Sequence, residues 1–148
     1  MSRLVDDQLV NYTRSRISNK GTLTYSYQKG ALPSYYRSLA DRLLNEIDER
    51  LDGVSFKRIK PSAKADIIIN NGELPPGAAG AVVWTDVRWE LRLPERGFST
   101  TTFRHEVGHL LGLNHVPMGT NSLMQPQYGG VGDFTKKDWR ALESIWGA

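Results

Sequence analysis

The chain has 148 residues, 39% hydrophobic and 24% charged, which suits one soluble domain with a buried core. It carries 19 Lys and Arg against 16 Asp and Glu, a formal net charge of +3, and no cysteine. Disulfides, thiolate metal sites and thiol catalysis are thereby excluded, and no apolar run approaches the ~18 residues of a membrane span.

Residues 1–20 read as an N-terminal arm, with Leu4, Val5, Leu9 and Tyr12 at near-helical spacing. Its start, MSRLVDDQLVNYT, has two aspartates and no apolar core, so a signal peptide is not expected. Residues 21–148 are read as one domain. TLTYSYQ (22–28) alternates and is rich in β-formers, which predicts a strand. Tyr36, Leu39, Ala40, Leu43, Leu44, Ile47 and Leu51 recur at three- and four-residue steps, predicting an amphipathic helix over 33–52 closed by Gly53. VSFKRIK (54–60) predicts a second strand, and the apolar run in ADIIINN (65–71) a third, buried on both faces. Lys57, Arg58, Lys60 and Lys64 form the densest basic cluster. No nucleic-acid motif accompanies it, so it reads as a solvated face. AVVWTD (81–86) and WELRLPE (89–95) predict two further strands. STTTFRHEVGHLLGL (99–113) predicts a second helix with Ser99 as N-cap, and TKKDWRALESIW (135–146) a last one. The order implies a mixed α/β or α+β domain, a sheet covered by helices.

All three histidines lie within HEVGHLLGLNH, residues 105–115. On a helix, His105 and His109 lie one above the other and can aim at one point. Two imidazoles so placed suit zinc. Glu106 sits about 100° around the helix from His105, beside the metal, where a general base for a zinc-bound water belongs. Gly112 can end the helix in a left-handed conformation and turn the chain so that His115 becomes a third ligand. A helix continued through this point would carry His115 off the shared face. Leu110, Leu111 and Leu113 read as core packing.

The pattern HExxHxxGxxH resembles the zinc signature of metzincin metallopeptidases. Met124, nine residues beyond His115, matches the methionine turn of that family; Met118 is the competing candidate but stands only three residues after His115. Met124-Gln125-Pro126-Gln127-Tyr128 is similar to the matrixin (matrix-metalloproteinase-like) pattern, and Asp138 matches the aspartate of the last matrixin helix that braces the methionine turn. The resemblance implies a metzincin-like fold: a twisted mixed sheet of four to five strands with three main helices. It places the active-site cleft between the sheet and a C-terminal loop and helix. It also implies a zinc endopeptidase acting on extended polypeptides. His105, His109 and His115 would bind one catalytic zinc, with Glu106 as the base. Ala81, Val82 and Val83 would line the substrate as an edge strand, and Pro126 and Tyr128 would wall the pocket after the scissile bond. Thr101 or Thr102 would shape that pocket's floor.

The chain departs from the matrixins in having no histidine before His105, so their second, structural zinc is not expected. The loop NNGELPPGAAG (70–80) lacks an evident calcium cage, while Asp86, Glu90 and Glu95 leave calcium open. Without cysteine, the matrixin zymogen switch has no counterpart here. The expected partners are a polypeptide substrate and, by the same resemblance, a protein inhibitor. Neither nucleic acid nor membrane is expected, and the protein is read as a monomer. The alternatives are a non-catalytic zinc scaffold and a hydrolase of non-peptide amides. Retention of Glu106 speaks against the scaffold.

Overall fold

Alternation in TLTYSY puts Leu23, Tyr25 and Tyr27 on one face of β1 (Thr22–Tyr27), and all three are buried. The computed structural model describes residues 21–60, 64–85, 88–96, 98–127 and 130–147. The predicted N-terminal arm, Asp86 and Tyr128 lie outside the described residues. After β1 come α1 (Ser34–Arg50), β2 (Ser55–Arg58), β3 (Ile67–Asn70), β4 (Ala81–Trp84), β5 (Trp89–Arg92), α2 (Thr100–Leu110) and α3 (Lys136–Trp146). This is a mixed α+β fold with a five-stranded sheet and three helices.

The sheet order is β2-β1-β3-β5-β4. Neighbours pair in parallel from β2 to β5, and β4 closes the edge antiparallel to β5, with Ala81 opposite Arg92 and Trp84 opposite Trp89. The β1–α1–β2 crossover is what a parallel pair requires. α1 packs on β2, α2 packs on β4 and β5, and the two helices touch, so both cover the same sheet face. Tyr25, Ile67, Ile69 and Leu91 of the sheet meet Leu44 of α1 and Phe103, Val107 and Leu110 of α2. The gap left between them is only about 10 Å³, no more than one water. Each fully buried Leu, Ile or Phe contributes about 1.5–3 kcal/mol, so this layer is the main source of stability.

Two local expectations are corrected. β3 is covered fully on one face only: Ile67 and Ile69 are buried, but Ile68 is partly exposed. The apolar run therefore marks a helix-covered face and a half-covered one. Gly53 does not close α1 in a left-handed turn, since the helix ends through Leu51 in extended backbone. It is needed for close approach: a Cβ there would fall 2.4 Å from the Trp146 carbonyl oxygen, which accepts from the Gly53 N–H at 2.6 Å. That contact ties the end of α3 to the α1–β2 turn, and Trp146 Nε1 donates to the Leu111 carbonyl at 2.9 Å.

One polar cluster sits at the β1–α1 seam. The hydroxyls of Tyr25 and Tyr27 both donate to Asp41 Oδ1, at 2.8 and 2.7 Å, and Arg58 Nη1 donates to Asp41 Oδ2 at 2.9 Å. Burial, then the Asp41 carboxylate, pushes both phenols well above their ordinary range. Among the described residues no helix is long and apolar enough to cross a membrane.

Candidate metal centre

The predicted turn after α2 forms as the spacing requires. Ser99 caps the helix by accepting from the Thr102 N–H at 3.2 Å. At the other end Gly112 takes φ +109°, its N–H donates to the His109 carbonyl, and the Leu113 N–H donates to the Gly108 carbonyl. These paired bonds with a left-handed glycine are the Schellman arrangement, and they reverse the chain so that His115 returns over the helix.

His105, His109 and His115 converge, their ligand nitrogens all within 4.8 Å of one another. His105 Nε2 lies 3.1 Å from His109 Nε2 and 3.2 Å from His115 Nε2. The far side of two rings is pinned by backbone. His105 Nδ1 donates to the Leu123 carbonyl and His109 Nδ1 to the Leu113 carbonyl, each at 2.8 Å. A carbonyl only accepts, so both Nδ1 atoms carry the proton and both Nε2 atoms present lone pairs. Two such lone pairs 3.1 Å apart repel unless a cation lies between them. Tetrahedral zinc with bonds of about 2.0–2.1 Å would set nitrogen pairs about 3.3 Å apart. The observed edges fit that figure, and the triad is capable of holding a divalent metal.

Electrostatics favour the same state. Burial drives the His105 and His109 imidazoles down to about 4, and also lowers His115. For His105 the Leu123 carbonyl and Asp138 oppose burial, while His115 adds to it. For His109 the neighbouring His105 adds to burial. All three are therefore neutral near pH 7, the form that binds metal.

Glu106 lines the same cavity, of about 330 Å³, bounded by the 77–80 segment, the three histidines, Pro126 and Gln127. It is the one carboxylate among the described lining residues. It is only 5% exposed, and burial pushes its carboxyl up to about 7. Gly80 makes that burial possible. A Cβ there would stand 3.0 Å from Thr102 Cγ2 and 3.1 Å from Glu106 Cγ, so glycine lets the segment close over the carboxylate.

The loop beneath the histidines is held from α3. Asp138 is wholly buried; its Oδ1 accepts from the Ser122 hydroxyl, and its Oδ2 from the Leu123 N–H at 2.8 Å and the Thr135 N–H at 3.0 Å. Leu123 thus carries Asp138 on its N–H and His105 on its carbonyl. Met124 is fully buried against α2, where a Cβ on Gly108 would strike its Sδ at 2.7 Å. Met118 is 50% exposed and takes no part.

The remaining predicted site residues divide. Pro126 lines the cavity. Ala81, Val82 and Val83 occupy the edge strand β4, partly exposed, but the cavity wall is the 77–80 segment that precedes them. Neither Thr101 nor Thr102 lines the cavity: Thr102 packs under Gly80, and Thr101 Oγ1 donates to the Gly132 carbonyl. Glu90 accepts from Asn70 and Arg92, at 3.0 and 3.1 Å, and the side-chain bond from Asn70 holds its carboxyl below the ordinary range. Sequence reasoning missed the Leu113 and Leu123 carbonyls and Gly80. Leu113 packs in the core and its carbonyl also accepts from His109 Nδ1. The chain matches neither a known family nor a curated protein.

Proposed function

We propose that the chain is a zinc-dependent endopeptidase of metzincin type, nearest in its motif to the matrixins, with residues 21–148 as its catalytic domain. The observation carrying this reading is the sharing of one cavity by three neutral imidazoles and a single buried carboxylate. His105, His109 and His115 would hold the ion, since an all-imidazole set suits zinc. When bound, zinc supplies Lewis acidity, which acidifies water and polarises a scissile carbonyl.

Glu106 does the proton work. Its carboxyl is shifted to about 7, so near neutral pH it can both take a proton at its carboxylate oxygen and give one back. The base accepts the proton of the attacking water and returns it to the leaving amine nitrogen. The 77–80 segment packs against this carboxylate at Gly80 and forms the facing wall of its cavity. β4 is an edge strand, so an extended polypeptide can add to it through backbone hydrogen bonds along Ala81–Val83. Pro126 walls the side-chain pocket beside the metal.

The test compares wild type with Glu106→Gln for zinc content and for cleavage of an unfolded generic protein. One zinc per chain is expected in both, with cleavage lost by about 10²–10⁴-fold in the variant. Full activity in a zinc-loaded Glu106→Gln protein would exclude this mechanism. Two zinc ions per chain would exclude the single-site reading.

A further inference from the structure

The cavity of about 470 Å³ at the β1–β2 end of the sheet is larger than the metal cavity, and four cations line it: Lys29, Arg37, Arg58 and Lys60. No carboxylate is among its described lining residues. Asp41, the carboxylate that pairs with Arg58, is also engaged by both tyrosine hydroxyls. The arginines are held in place. Arg58 donates one nitrogen to Asp41 and lies over the Tyr27 ring at 4.8 Å, and Arg37 donates one nitrogen to the Leu32 carbonyl at 3.1 Å. A guanidinium has five N–H donors, so each keeps further donors for a ligand at a fixed position. Lys29 and Lys60 are exposed at the rim.

Sheet topology connects this cavity to the metal site. β1, β2, β3 and β5 are parallel, so Tyr27, Arg58, Asn70 and Arg92 end at one edge of the sheet. β4 is antiparallel, and its first residue, Ala81, pairs with Arg92 at that same edge. The 77–80 segment lining the metal cavity therefore joins the sheet on the edge that carries the cations. A smaller groove of about 260 Å³, which shares Gln28, Lys29 and Gly30 with the basic cavity, runs from there to Asn71 and Gly72 after β3. From β4 to β2 is four strand spacings, roughly 19 Å, which about six residues of extended chain would span.

We propose that the basic cavity is an exosite for an acidic segment of the polypeptide substrate, reached by chain that runs along this sheet edge from the metal cavity. The proposal rests on the peptidase reading. Carboxylates on an extended segment suit four spaced cations. Nucleic acid suits the site less, because the aromatic ring in the lining, Tyr27, is buried and offers no stacking platform.

The test uses zinc-loaded protein and peptides that share one cleavable core. Each carries a flexible link and a tail of six glutamates or six glutamines, placed before or after the core. An acidic tail on one of the two sides is expected to lower KM about tenfold with kcat unchanged, and 0.5 M salt is expected to erase the gain. Lys29→Glu/Lys60→Glu is expected to remove the gain while glutamine-tailed peptides are cleaved as before. The charge-matched control Lys136→Glu/Lys137→Glu on α3 is expected to keep it. Equal KM values for both tails would overturn the exosite and leave the peptidase standing. Fluorescence anisotropy of labelled hexaglutamate separates the converse case. Binding that depends on Lys29 and Lys60, with no peptide cleaved, sustains an acidic-peptide site and sinks the peptidase. Tighter binding of a charge-matched oligothymidylate than of hexaglutamate would overturn the proposal.

Discussion

Replacing Asp138 by alanine strikes the support of the metal centre without touching a ligand. The carboxylate is fully buried and serves the Ser122 hydroxyl, the Leu123 N–H and the Thr135 N–H. Removing it leaves these donors without their acceptor, at about 1–3 kcal/mol for each that stays buried. The Thr135 N–H bond is also the Asp138 half of the capping box at the start of α3. Some donors will find water, so a loss of about 3–6 kcal/mol is expected, against a typical total of about 5–15. In urea this moves the midpoint down by about 2 M at an ordinary slope. A second effect follows through Leu123, whose carbonyl orients His105. With that peptide loosened, zinc affinity should fall about 10–100-fold, as for other partners that orient a ligand from behind. Chelator competition measures this on protein that is still folded. Asp138→Asn is the milder variant, because its amide can accept with one oxygen but sets an NH₂ against the remaining donors. If Asp138→Ala unfolds within about 1 kcal/mol of wild type and holds zinc as tightly, the bracing argument is wrong.

Other perturbations separate stability from metal binding. Gly53→Ala would push a methyl group to 2.4 Å from the Trp146 carbonyl oxygen, so thermal denaturation should show a loss of about 1–3 kcal/mol, with one zinc still bound per folded chain. Gly112→Val forces a β-branched residue into φ +109°; zinc affinity should drop more than helix content does, by titration beside circular dichroism. In metal-free protein, His105 and His109 titrate near 4, below the ordinary 6.5, so the unfolded chain binds more protons between those values and stability should rise with pH there. Glu106, raised to about 7, acts oppositely between 4.5 and 7; a net gain of about 3 kcal/mol that levels off above about pH 6.5 is expected from denaturation across pH, and a flat profile would refute these environments. Zinc at 100 times its Kd should add about 2.7 kcal/mol, read as a rise in Tm.

How much was legible beforehand differs between elements. The i, i+4 histidine pair and the turning glycine are local. Their consequences depend on helix periodicity and on one residue's freedom at positive φ, so His105, His109, Gly112 and His115 could be placed from the string alone. The amphipathic stripe of α1 and the alternation in β1 were readable for the same reason. Apolar runs are less informative, since Ile67–Ile69 looks alike whether one face is covered or both.

Tertiary structure alone decided the rest. The Leu113 and Leu123 carbonyls set two histidine tautomers, yet every residue has a carbonyl, so no side-chain identity marks these two. Gly53 and Gly80 owe their roles to chain segments distant in sequence, Trp146 and the Thr102–Glu106 turn. The cations in the basic cavity come from the turn after β1, from α1, and from the end of β2 and the residues just beyond it. Read in sequence, Arg58 and Lys60 belonged to a cluster with Lys57 and Lys64. Parallel strand pairing and the crossover helix instead bring them beside Lys29 and Arg37, on the edge that β4 shares. Periodicity acts between neighbours in the chain, and it determined the three-histidine motif; approach between distant segments depends on packing, and it decided what surrounds that motif.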